Sequence, residues 1–152
     1  MRKRSRTRPS IPDLLDASVW LPLSAPDHVH HARALRYWQE EASEEMAFCR
    51  ITALALLRDL TNPRIVGPGA LDGASAWRAL KVWLSQPGVR MLGEPSALDE
   101  WLERWSTACD PRGGNWTDVY LAAFAAAGGC RLVAFDKDFH HYAGLAFLHL
   151  VV

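Results

Sequence analysis

Cysteine is scarce in this chain: 152 residues hold three, Cys49, Cys109 and Cys130, none in a Cys-x-x-Cys spacing. An odd, scattered set excludes a disulfide framework and a zinc ribbon, and leaves the thiols as buried apolar groups in a reducing cytoplasm. Long hydrophobic runs are missing as well. No stretch approaches the roughly 18 consecutive apolar residues of a membrane helix, and the basic first ten residues do not lead into a signal-peptide core. The expected location is cytoplasmic, with no membrane partner. There is no internal repeat and no Pro- or Gly-rich low-complexity stretch, so fibrous and disordered classes fall away.

What remains is 49% hydrophobic and 22% charged residues, with seven Trp. A single domain of this length buries roughly two-thirds of the surface its unfolded form exposes, enough for a core without disulfide or metal. Net charge is zero, but Arg2, Lys3, Arg4, Arg6 and Arg8 crowd the first eight residues and leave 12 basic against 17 acidic side chains in the rest. The expected organisation is a basic, solvated and disordered arm over residues 1–10, for which contact with phosphates is the alternative, and one domain over 11–152.

Apolar runs and breakers predict alternating elements. Strands are expected at residues 12–16, 46–49, 89–92, 131–135 and 146–151, with helices over 17–23, 28–43, from Thr52 to the Asn62-Pro63 breaker, 71–85, 95–109 and 118–127. Thr52 and Thr117 are read as helix caps. Strands separated by helices predict a mainly parallel sheet, which binds ligands beyond its strand carboxyl ends. Asp16 and Asp136 each follow an apolar strand, and Asp118 opens the helix leading to the strand before Asp136. Converging carboxylates without a basic partner repel one another unless a divalent cation or a proton intervenes, and a carboxylate-held Mg²⁺ or Mn²⁺ is suited to phosphodiester hydrolysis. A strand-end Asp is as often only the cap of the next helix.

Three segments, L-L-D-A-S-V-W-L (14–21), W-T-D-V-Y-L-A-A-F-A (116–125) and L-V-A-F-D-K-D-F (132–139), together with the Ala/Leu-rich segment 48–63, resemble in order and spacing the PIN-domain ribonucleases of VapC type, the toxins of bacterial toxin-antitoxin pairs. The resemblance implies a three-layer α/β/α fold. It also implies a Mg²⁺-dependent endoribonuclease (Mn²⁺ as substitute), a VapB-type antitoxin as partner, and a homodimer whose groove holds that antitoxin. Matched position by position, Asp16, Asp118 and Asp136 become metal ligands, with Asp138 at a position often acidic in the family. Ser18 and Thr117 become hydroxyls that orient those acids.

One position departs from the family: the Glu expected three residues after Thr52 is Ala55. Asp138, or Asp59 one turn further on, is the candidate replacement, and Arg58 is a candidate for contact with an RNA phosphate or a cluster acid. The missing carboxylate leaves a catalytically weakened RNA- or partner-binding module as the alternative function. A phosphatase with Asp16 as nucleophile would want a second Asp where Ser18 stands. The pairs His30-His31 and His140-His141 are read as surface or capping residues, because neighbours on a helix diverge by about 100°. Trp77, Trp83, Trp101 and Trp105 are expected mainly in the core, with a groove or dimer face as their functional reading; Trp20 either stacks on a base or walls the core.

Overall fold

The computed structural model describes residues 8–152. Its strands are short apolar runs: β1 Asp13–Leu15, β2 Met46–Phe48, β3 Val89–Met91, β4 Arg131–Ala134 and β5 Phe147–His149. The helices are α1 Ala17–Ser24, α2 His31–Arg36, α3 Arg50–Leu60, α4 Pro63–Val66, α5 Gly73–Leu84, α6 Leu98–Cys109 and α7 Asn115–Gly128. All pairings are parallel, in the order β3-β2-β1-β4-β5. The chain therefore builds outward from β1 to β3, then crosses back to lay β4 on the other flank of β1. That reversal between β1 and β4 is the switch point at which open α/β sheets form a crevice.

Strand periodicity sorts the core into two layers. Leu15, Met46, Phe48 and Val133 face a core shared with Trp20, Tyr37, Leu56 and Leu80, whereas Leu14 and Leu132 face one shared with Leu121, Phe124, Leu98 and Phe139. Helices α1 to α5 cover the first face and α6 and α7 the second, which gives the expected three-layer α/β/α arrangement.

Several boundaries differ from the sequence reading for identifiable reasons. The helix expected over 28–43 begins at His31 and widens into a π-helical turn, Tyr37–Glu41, closed by the Ala42 amide on the Tyr37 carbonyl at 2.9 Å. Asn62-Pro63 ends α3, as a breaker should, but also starts α4, since the Asn62 side chain accepts from the Arg64 amide and proline suits a first helical position. Thr52 is not a cap. It occupies the third position of α3, where its hydroxyl accepts from the Cys49 amide at 3.0 Å. Thr117 likewise lies inside the first turn of α7, which starts at Asn115. Of the basic arm, residues 1–7 lie outside the described residues; Arg8 donates to the carbonyls of Ala42 at 2.8 Å and Gln39 at 2.6 Å.

A buried ion pair ties the sheet together at its amino edge. Asp13, fully buried on β1, accepts two hydrogen bonds from Arg131 on β4 (2.8 and 2.9 Å), one from the Tyr37 hydroxyl (2.6 Å) and one from the Ser43 amide (2.9 Å). Removing one partner leaves a buried charge uncompensated, which costs about 3–5 kcal/mol. Arg131→Met should lower unfolding free energy by about that amount in urea denaturation; a loss under about 1 kcal/mol would contradict the assignment of this pair as a structural tie.

Candidate functional site

At the opposite, carboxyl edge of the same two strands the pattern reverses: acids gather without a base. Asp16 is the first residue past β1, and its amide donates to the Val133 carbonyl of β4 at 2.9 Å. Extended backbone at Asp16 (φ −63°, ψ 156°) turns the chain into α1. Asp16 sits at the cap position of α1 without a full cap hydrogen bond. Burial pushes its pKa up, with the Asp136 charge adding to the shift, while the Ser18 hydroxyl and the Ala17 and Ser18 amides pull the other way. The Ser18 hydroxyl also accepts from the Phe135 amide at 3.4 Å, so it bridges α1 to the end of β4.

Asp136 follows β4 by two residues and is exposed. One of its oxygens accepts from the Asp138 amide at 2.8 Å and caps the 3₁₀ turn Lys137–His141. The capping role read as the alternative for a strand-end Asp is therefore real here, and it leaves the second oxygen uncommitted. Asp118 comes from the first turn and a half of α7, delivered by a helix whose buried side (Val119, Leu121, Ala122, Phe124) is locked in the second core. Its pKa is raised to about 6, first by burial and then by the charges of Asp16, Asp136 and Asp138. Asp138, exposed, lines a pocket together with Asp118.

Among the described residues, none of these four carboxylates lies within ion-pair distance of Lys or Arg. The arginines elsewhere pair with Glu41, Asp59, Glu45, Glu100, Asp110 and Asp13. Also among the described residues, no group of three or more His, Cys, Asp or Glu side chains is drawn close enough to enclose a metal ion. The donor set fits a hard dication in chemistry: all-oxygen, ionisable and unneutralised. Mg²⁺ typically takes only one or two carboxylates and keeps waters and substrate phosphate as its other ligands, so a close cage of three acids is not required for it.

A family model described as PIN domain matches residues 14–145. Ribonuclease VapC41 of Mycobacterium tuberculosis is 37% identical over 138 residues, covering 87% of this chain and 94% of the relative. The chain belongs to the PIN-domain family, in its VapC branch. Ribonuclease VapC38 of the same organism is 31% identical, covering 81% and 84% of the two chains. Among solved structures, M. tuberculosis VapC20, described as a sarcin-ricin loop cleaving toxin, aligns with TM-score 0.63 at 22% identity, over 88% of this chain and 95% of the other. VapBC-1 from nontypeable Haemophilus influenzae aligns with TM-score 0.68 at 17% identity, over 92% and 98%. These two likenesses speak for the fold.

Other residues of this PIN domain fall on either side of the site. Asp59 is not brought to the cluster; it pairs with Arg58 at 3.6 Å on α3. Ala55, Arg58 and Thr117 line a neighbouring groove with Ile51, Leu54 and Gly114, between α3 and the start of α7. Trp20 is fully buried, stacked on Phe48 at 3.9 Å and flanked by Trp38 and Trp83, so it walls the core and meets no base. Trp101 and Trp105 are part-buried neighbours at 5.1 Å, whereas Trp77 and Trp116 are exposed. His31 bonds the Pro22 carbonyl at 2.7 Å, and His30 is part-buried and stacked on Phe135 rather than lying on the surface. Asn115 and Tyr142, which line the pocket beside Asp118, carried no sequence signal: one sits in a loop-like stretch, the other in a tail without periodicity.

A carboxyl held at about 6 keeps its proton more tightly in the folded than in the unfolded state. Its contribution to stability is thus present at low pH and lost as pH rises from about 4 through about 6. In metal-free buffer, Asp118→Asn should be more stable than the parent at pH 7, by on the order of 1 kcal/mol after solvent screening, and this advantage should shrink towards pH 4.5. Parallel thermal melts at the two pH values check it; a constant difference would contradict the mutual repulsion.

Proposed function

We propose that this PIN domain is a Mg²⁺-dependent endoribonuclease, with Mn²⁺ able to substitute, and that it is the toxin of a VapBC-type pair acting in the cytoplasm. The observation that carries the reading is that Asp16, Asp118 and Asp136 lie near enough at the switch point of the sheet that, beyond burial, their charges raise the pKa of Asp16 and Asp118, with no basic partner among the described residues. The names of the relatives support it: VapC41 and VapC38 are called ribonucleases, and VapC20 is described as a sarcin-ricin loop cleaving toxin. When bound, the dication would neutralise charge on a phosphodiester and activate a water for in-line attack.

The chain's own task is to hold and orient. Asp16, Asp118 and Asp136 are the proposed ligands, with Asp138 as a fourth in the absence of a carboxylate at Ala55. Ser18, hydrogen-bonded to β4, steadies Asp16. Thr117, next to Asp118, is the proposed hydroxyl that orients that acid, and the 74% exposed Arg58 side chain on the adjoining groove is the proposed contact for an RNA phosphate, which a guanidinium suits. No Ser, Cys or Lys nucleophile is needed. The partners are an RNA substrate, a VapB-type antitoxin and a second copy of the chain; exposed Ile51, Leu54 and Trp116 near that groove support a protein-binding face. The weakened-module reading rests on Ala55 alone and gains no second support.

The test is cleavage of a panel of transfer and ribosomal RNAs with Mg²⁺ or Mn²⁺. Chelation should abolish it, and Asp118→Ala should fold normally by circular dichroism while losing growth inhibition and at least 10–100-fold of cleavage, the loss typical of even outer-shell changes around a metal. Undiminished toxicity in that variant overturns the assignment. Cleavage should also fall as pH drops through about 6, where protonation of Asp118 competes with the metal.

A further inference from the structure

Beside the carboxylates lies a cavity of about 400 Å³, lined by Asn115 and Asp118 from the start of α7 and by Asp138, His141 and Tyr142 from the 3₁₀ turn after β4 and the residue that follows it. Its size is at the lower end for small-ligand pockets, suited to one nucleoside. We propose that this cavity receives a single base flanking the scissile phosphate and selects bases that carry an exocyclic amino group (guanine, adenine or cytosine) over uracil. The proposal rests on the reading of Asp16, Asp118 and Asp136 as the phosphodiester-cleaving site.

Position comes first. Asp118 belongs both to the acid cluster and to the cavity wall, so a phosphate held at the acids places an adjoining nucleotide at the cavity mouth. Tyr142 supplies an aromatic wall. It is part-buried and backed by Trp105, with ring centroids 5.1 Å apart, and by Phe139 at 6.4 Å, so the ring is braced rather than free. Bases stack on such surfaces with little regard to identity, so this contact adds affinity and not selection.

Selection falls to the polar rim. An ionised carboxylate only accepts hydrogen bonds. Asp138 is exposed with its backbone fixed by the 2.8 Å bond to Asp136, while the Asp110 carboxylate is turned to Arg112 at 2.7 Å and does not compete. Asn115, exposed at the start of α7, offers an amide of the kind that pairs with adenine, and carboxylates accept from the cytosine amino group. Guanine likewise presents two adjacent N–H donors on its pairing edge. Uracil has no amino group, and its one pairing-edge N–H lies between two carbonyls that an acceptor-rich rim repels, so it is disfavoured.

The experiment compares kcat/KM on short RNAs that differ only in the bases next to the cut, in Mg²⁺, for the parent, Asn115→Leu and Tyr142→Leu, with Mn²⁺ affinity measured in parallel. The parent should cleave after or before an amino-bearing base about tenfold or more better than beside uracil, the discrimination expected of one good base contact. Asn115→Leu, at an exposed position, should lose much of that preference with Mn²⁺ affinity intact. Tyr142→Leu should raise KM for all bases and keep the preference. A parent without base preference, or an Asn115→Leu variant that retains it in full, overturns the proposal and leaves the nuclease reading standing. No cleavage of any RNA by the parent overturns both.

Discussion

Two parallel strands that are neighbours in space but far apart in sequence, β1 and β4, end side by side, and each hands the chain to an aspartate at that edge. The strands do this because the sheet reverses its order of growth between them. Repulsion among the resulting charges is the constraint on which the site depends: burial and like charge together raise Asp16 and Asp118 above ordinary carboxylate behaviour. The amino edge of the same strand pair shows that the sequence can neutralise an acid where it serves structure. Asp13 receives Arg131, Tyr37 and the Ser43 amide. Three residues later, just past β1, the next acid has no arginine within ion-pair distance among the described residues, so Asp13 is a neutralised charge and Asp16 is not.

Packing makes that repulsion tolerable. Asp16 cannot retreat, because its amide is bonded to Val133 and the following helix buries Val19, Trp20, Leu21 and Leu23. Asp118 cannot retreat either, since α7 is anchored through Val119, Leu121, Ala122 and Phe124 and ends at Gly129, whose left-handed conformation (φ 66°) turns the chain into β4. Only Asp136 and Asp138, on an exposed 3₁₀ turn, sit on backbone without such backing. The cluster thus combines two acids on rigid elements with two on an exposed turn.

Much of the fold was legible from sequence because the strands are continuous apolar runs and the helices between them carry apolar stripes; the succession of elements and the parallel sheet follow from that alternation, whereas the three layers followed from the family resemblance and the strand order has no local signal. The positions of Asp16, Asp118 and Asp136 were legible for the same reason, as strand ends and a helix start. Helix starts were read less well. Thr52 and Thr117 look like caps but lie inside their helices, because the local chain begins each helix earlier, at Arg50 and Asn115. The role of Arg131 was hidden, since its partner lies more than a hundred residues away, and so was the pocket around Asn115 and Tyr142, whose walls come from a helix start and a structureless tail. Trp20 shows the opposite ambiguity: a tryptophan one turn from an acid reads equally as base platform or core until Phe48 is found stacked on it.

The most direct test is crystallographic: crystals of the protein equilibrated with Mn²⁺, with anomalous diffraction recorded near the manganese edge. A single strong peak within coordination distance of oxygens from Asp16, Asp118 and Asp136 is the predicted result. A map without a peak at the β1–β4 edge, or with manganese only at unrelated surface carboxylates, would contradict the account.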